Sequence, residues 1–250
     1  MGRGIMRYLK LTISYDGTNY NGFQRQKNAI GIQQIVEDAL SELMGEDIKV
    51  VASGRTDTGV HACGQVISFE TRSTVPTEHI TTAIRHLLPG DIVVWKAEEV
   101  GENFNARYSA VEKTYQYRII ITDISNPFKR NYAWELKKSL DIEKMQIAAN
   151  NLLGTHDFTA FCNKGSKIIS PERTITVAQW QITTDKELVF TITGDGFLYR
   201  MVRNIVGALV KVGNGKITPD TFLQILLTKD RQLTGMPAPA CGLYLMHVRY

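Results

Sequence analysis

The sequence predicts an α+β protein of two ferredoxin-like βαββαβ halves, whose mostly antiparallel sheets carry their helices on one face and form a central cleft. Three observations predict it. Apolar and polar residues alternate over 8–15, a helical period follows and ends on a glycine, and the same order of strands and helices recurs, more loosely, in the second half.

Leu9, Leu11, Ile13 and Tyr15 fall on one side of the first stretch and Lys10, Thr12 and Ser14 on the other, the pattern of a half-buried strand. Ile32, Ile35, Val36, Ala39, Leu40, Leu43 and Met44 then recur at helical spacing, and Gly45 sits where a left-handed C-terminal cap ends a helix. Two strands are expected at about 47–53 and 62–70. Pro76 opens a second helix with Ile80, Ala83, Ile84, Leu87 and Leu88 on one face; Pro89-Gly90 stops it, and 91–97 returns as a strand. The second half offers a strand at 113–122, an inserted segment, a helix near 141–153, strands at about 174–184 and 187–194, a helical stretch over 199–228 and a closing strand at 243–249. A boundary near Gly101 to Arg107 divides residues 1–104 from 105–250, without the Pro- or Ser-rich composition of a flexible linker.

Hydrophobic residues make up 43% of the 250, enough for a substantial core. The net charge of +4 and a pI near 8.9 lean toward anionic partners and permit RNA binding without requiring it. Cys63, Cys162 and Cys241 show no CxxC or Cys/His ligand spacing, and the five histidines show no metal spacing. Neither a disulfide framework nor a metal site is expected, and a reducing cytoplasm fits. No stretch approaches the ~20 apolar residues of a membrane span. With no P-loop or dinucleotide fingerprint, no cofactor is expected.

The strongest chemical signal is Gly54-Arg55-Thr56-Asp57-Thr58-Gly59-Val60-His61, a polar, glycine-bracketed turn between two apolar strands. Taken alone it reads as a hairpin loop in which Asp57 makes a side-chain turn. A turn does not require Arg and Asp together, however, and flanking glycines let a substrate backbone approach a single carboxylate. Asp57-Thr58-Gly59 also spells the aspartic-protease triplet, which a homodimer uses as paired carboxylates. That triplet belongs in all-β folds, whereas amphipathic helices are evident here.

A second signal is the stripe Arg200, Arg203, Asn204, Gly207 and Lys211 along an otherwise apolar helix. A guanidinium there is either solvated or needs an anionic partner, and Asp57 is the candidate. Third, Tyr115 and Tyr117 share one face of a strand beside Lys113. Such rings are core tyrosines or, where the face lines a cleft, a platform for an extruded base.

At these residues the chain resembles the tRNA pseudouridine synthase A family. Tyr15-Asp16-Gly17-Thr18, Gly22-Phe23-Gln24, Gly54-Arg55-Thr56-Asp57, Phe104-Asn105-Ala106-Arg107, Gly154-Thr155-His156-Asp157-Phe158, Arg200-Met201-Val202-Arg203-Asn204 and Gly242-Leu243-Tyr244-Leu245 match family motifs in order. Thr58 and Arg85 depart from it, where the family commonly has Ala and often Asn. The resemblance implies the pseudouridine synthase fold, Asp57 as the essential catalytic carboxylate and nucleophile, Tyr115 as the base-stacking ring, and Arg203 as the ion pair to Asp57. It implies that Arg55 helps displace the target nucleotide and that Arg107 and Leu243 bind substrate. It further implies a homodimer that isomerises tRNA uridines in the anticodon stem-loop, at about positions 38–40. On this reading Arg25, Arg107 and Lys113 are candidate phosphate contacts, and a non-catalytic RNA-binding module is the alternative.

Overall fold

A computed structural model of the protein describes residues 5–163 and 170–250. Its backbone contacts gather into two compact units, Met1–Val111 with Leu245–Tyr250, and Glu112–Tyr244.

The first unit runs β1 (Arg7–Tyr15), α1 (Ile32–Met44), β2 (Val51–Ala52), β3 (His61–Thr71), α2 (Thr77–Ile84) and β4 (Ile92–Val100), the βαββαβ order read from the sequence. β1 pairs antiparallel with β3 and β4, Leu11 lying opposite Ile67 on one side and Ala97 on the other. The alternation read over 8–15 corresponds to burial, with Leu9, Leu11 and Ile13 at 0% exposure. α1 ends as expected: Gly45 takes φ 71° and its N–H returns to Ser41 O.

The strand expected at 47–53 shrinks to Val51–Ala52 because α1 captures its backbone donors. Ile48 N–H donates to Ser41 Oγ at 2.9 Å and Val50 N–H to Glu37 Oε1 at 3.1 Å, which leaves only two residues to pair with β3. α2 is also shorter than its apolar face suggested; Pro76 caps it from outside, and Leu87 and Leu88 follow in a turn on Ile84 O.

The second unit comprises β5 (Glu112–Ile121), β6 (Trp134–Leu136), α3 (Ile142–Asn150), β7 (Gly154–Asp157), β8 (Glu172–Ile182), β9 (Leu188–Gly194), α4 (Met201–Gly213), α5 (Pro219–Thr228) and α6 (Arg231–Thr234), before the closing strand β10 (Leu243–Arg249) begins. Strands β5, β9, β8 and β7 are antiparallel neighbours in that order, while β6, from the inserted segment, pairs parallel with β5.

The helical stretch expected over 199–228 is broken in two. Gly215 turns the chain at φ 74°, Thr218 accepts the Thr221 amide as N-cap, and Pro219 occupies the first turn of α5, where its missing N–H costs nothing. Phe158, Phe161 and Phe222 are fully buried; Phe161 lies 6.3 Å from Phe158 and 5.6 Å from Phe222 between ring centroids, tying α5 to the turn after β7. Phe222→Ala should therefore lower stability by about 3–5 kcal/mol. Urea unfolding will show this as a lower midpoint at unchanged slope.

Candidate functional site

Asp57 lies on the loop between β2 and β3, half-buried, with Thr56 buried and Arg55 exposed beside it. The loop is fixed from below by Gln65, which is 0% exposed. The Gln65 amide nitrogen donates to Gly54 O at 2.9 Å, and its oxygen accepts from Ser53 Oγ at 2.7 Å and from Val66 N–H at 3.1 Å. Tyr15 OH meets Thr56 Oγ1 at 2.8 Å, and Phe23 N–H donates to Thr56 O at 3.0 Å. On the far side of the aspartate, Val60 N–H closes a turn onto Asp57 O at 3.1 Å.

Two glycines let the chain at 15–24 lie against this loop. A Cβ on Gly17 would stand 2.0 Å from Val60 O, and one on Gly22, at φ +81°, would stand 2.7 Å from Thr56 O. Gly17 N–H also donates to Nδ1 of the buried His61 at 3.1 Å. The motifs Tyr15–Thr18 and Gly22–Gln24 thus form the bed on which the aspartate loop rests. Sequence reading missed Gln65, Tyr15 and Phe23 as supports; for Tyr15 and Phe23 their place in glycine-containing matched motifs was the available signal, whereas Gln65 lies in none of those motifs.

Burial pushes the Tyr15 phenol up to about 12, against the lowering effect of its bonds to Thr56 and Gln65. Tyr20 is raised too, by burial and by its hydrogen bond to Asp91, whose carboxylate it meets at 2.6 Å. Among the basic residues of this unit, Arg107 is exposed, with its guanidinium 5.5 Å from the Tyr108 ring, and its backbone is set by Asn105 Oδ1 at 2.9 Å. Arg25 is held by carboxylates, its Nε 3.1 Å from Glu37 and its Nη2 2.5 Å from Asp38.

In the second unit Tyr115 sits near the start of β5 opposite Ile192, 8% exposed, with Phe197 edge-on at 5.0 Å. Tyr117 is core, 0% exposed, its hydroxyl donating to Pro239 O at 2.7 Å, and burial raises its pKa well above the usual range. Arg203 is half-buried on the first turn of α4; its Nε donates to Ala238 O at 2.8 Å while Ala238 N–H returns to Arg203 O at 2.9 Å. The polar stripe of α4 is therefore packed rather than solvated: Asn204 is 1% exposed, and Gly207 admits Met236 O where a Cβ would stand 2.5 Å away. Leu243 is 6% exposed at the start of β10. Among the described residues no group of three or more His, Cys, Asp or Glu could hold a metal, and no helix is long and apolar enough to cross a membrane.

The antiparallel α+β frame holds the Asp57 loop in place, and comparison with known proteins gives the class. A family model described as tRNA pseudouridine synthase matches residues 11–109 and 148–250. A tRNA pseudouridine synthase A of Acetivibrio thermocellus is 46% identical over 245 residues, covering 98% of this chain and 100% of that protein. That of Bacillus subtilis (strain 168) is 46% identical over 244 residues, 97% of this chain and 98% of the relative. That of Thermoanaerobacter sp. (strain X514) is 44% identical over 248 residues, 98% and 100% of the two chains. The chain belongs to the tRNA pseudouridine synthase family, and as a member it is an isomerase that acts on uridine in tRNA. Asp57, Arg55, Arg107, Arg203 and Leu243 fall within the residues matched by the family model, whereas Tyr115 falls in the unmatched 110–147. Membership and the helices of the fold displace the aspartic-protease alternative.

Tyr15 gives the loop a pH signature. Its raised pKa means that the buried site holds the neutral phenol, so its contribution to stability is complete below pH 10 and lost as pH climbs through about 12. Tyr15→Phe should cost about 1 kcal/mol at pH 8 through the lost hydrogen bonds. Urea titrations should show the gap to the parent narrowing at pH 11; a constant gap would mean that Tyr15 does not ionise in this way.

Proposed function

We propose that the chain isomerises uridines at the end of the anticodon loop and in the adjoining stem of tRNA, with Asp57 as its catalytic nucleophile and with no cofactor, as a cytoplasmic homodimer. The observation that carries this reading is the Asp57 loop itself: a half-buried carboxylate whose neighbouring backbone is tied down at Gly54, Thr56 and Val60. A side chain that serves only as a surface turn needs no such bed. A catalytic group does, because displacement by about 1 Å can cost a hundredfold in rate.

The reaction asks for few groups. The bond from uracil N1 to C1′ breaks, the base turns while still held, and C5 bonds to C1′. Asp57 serves by adding to C1′, by attacking C6 or by removing a ribose proton. Tyr115 supplies a flat surface for the detached base, in keeping with its ring being held edge-on by Phe197. Arg203 supplies the counter-charge that keeps the carboxylate ionised, and its guanidinium is pre-oriented by Ala238 O. The exposed Arg55 and Arg107 meet the RNA backbone, and Leu243 gives apolar contact to the substrate. Extruding a stem uridine costs a few kcal/mol, which Arg55 helps offset. Arg25, matched by Glu37 and Asp38, is a weaker candidate for phosphate than the sequence suggested.

With C5-tritiated uridine in tRNA, the parent should release tritium and Asp57→Ala should release none while retaining most tRNA affinity. Loss of binding in step with activity would make Asp57 a docking residue instead. Tritium release unchanged by Asp57→Ala would sink the assignment. Arg55→Ala should slow conversion of stem uridines more than loop uridines, and tRNA affinity should fall steeply with salt as phosphate contacts are screened.

A further inference from the structure

Between α5 and β10 the chain crosses the polar side of α4 as a strap, residues 231–239, pinned at both ends and in the middle. At its start Arg231 Nη2 donates to Asn204 Oδ1 at 2.9 Å and to Asn163 Oδ1 at 3.1 Å, while Nη1 donates to Gly235 O at 2.9 Å and to the Thr234 hydroxyl. Asn204 is itself anchored, its amide donating to Phe161 O at 2.7 Å and to Asn163 Oδ1 at 2.9 Å. Midway, Met236 O sits in the notch left by Gly207. At the far end Ala238 exchanges two hydrogen bonds with Arg203, at 2.8 and 2.9 Å, and Tyr117 OH closes on Pro239 O at 2.7 Å.

The four oxygens that Arg231 meets are all neutral, so the contacts set geometry without cancelling charge. A planar guanidinium can bridge Asn204, Asn163 and Gly235 at once because its donors are fixed in a fork, which a flexible ammonium cannot match. The notch at Gly207 then prevents the strap from sliding along α4, so a constraint applied at 231 is carried to 238.

We propose that Arg231 is a positioning residue: it locks the strap to α4 through Asn204 and Asn163, and thereby fixes Ala238 and the guanidinium of Arg203. The inference rests on the reading of Arg203 as the counter-charge to Asp57 and deepens it, since the arginine that faces the chemistry is aimed by a second one that does not. Both terminal nitrogens of Arg231 donate to protein oxygens, which sets it apart from a phosphate contact.

Single-turnover tritium release and tRNA affinity test the idea, measured on the full chain for the parent, Arg231→Met, Gly207→Ala, Arg203→Lys and the double variant Arg203→Lys/Arg231→Met. Gly207→Ala pushes on Met236 O from the opposite side without touching a charge, and so tests the strap even if Arg231→Met fails to fold. Arg231→Met and Gly207→Ala should each lower the single-turnover rate about ten- to a hundredfold with tRNA affinity unchanged. The double variant should be no slower than Arg203→Lys alone, because both substitutions act at one point. A lower melting temperature at the parent rate would make the strap mere packing. Weaker tRNA binding at the parent rate would make Arg231 an RNA contact, and additive losses would show that it acts apart from Arg203. Each of these overturns the proposal. If Arg203→Lys itself keeps the parent rate, the counter-charge reading falls and takes this one with it; if only the Arg231 and Gly207 variants keep it, this one falls alone.

Discussion

The placement of Asp57 depends on one buried amide. Gln65 reaches three loop and strand groups from a position closed to water, holding Gly54 O, the Ser53 hydroxyl and the Val66 amide together. A buried polar atom left without a partner costs about 1–3 kcal/mol, so these bonds favour the native position of the loop. The same network extends through Tyr15 OH to Thr56, the residue next to the aspartate, so the loop cannot shift without breaking several bonds at once. Rigidity here comes from mutual dependence rather than from any one strong contact.

The second unit reaches a comparable end by different means. The cations on α4 and α6 are satisfied by carbonyl and amide oxygens: Arg203 by Ala238 O, Arg231 by Gly235 O and two asparagines, and Lys211 by Leu233 O at 3.4 Å. The strap that supplies several of these acceptors has little regular structure beyond the single turn of α6. Its value lies in presenting carbonyls to a helix face whose side chains are donors. Burial lowers the pKa of Arg231 from the ordinary arginine value, consistent with a guanidinium drawn into the packing.

Local patterns were legible in the sequence, and long-range capture was not. The alternation of β1, the period of α1 and the stop at Gly45 follow from residues within one element, and all three stand as read. β2 was overestimated because Ser41 and Glu37, on another element, take the donors that a strand would have used. The break between α4 and α5 was written locally, in Gly215 and Thr218-Pro219, yet the apolar run on either side concealed it. The polar stripe on α4 was seen correctly as a stripe. What it faced could not be deduced, since the strap that covers it contributes main-chain carbonyls, which leave no trace in side-chain pattern.

That choice of acceptor bears on how much of its charge an arginine keeps. A carbonyl oxygen orients a guanidinium through a dipole and leaves its unit charge intact, whereas a carboxylate both orients and neutralises it. Arg25 shows the second arrangement: with Glu37 and Asp38 alongside, its charge is matched within its own unit. Arg203 shows the first with respect to Ala238, whose carbonyl fixes its Nε. Arg231, the cation of the strap itself, shows the first arrangement too, since the Asn204, Asn163, Gly235 and Thr234 oxygens that it meets are all neutral.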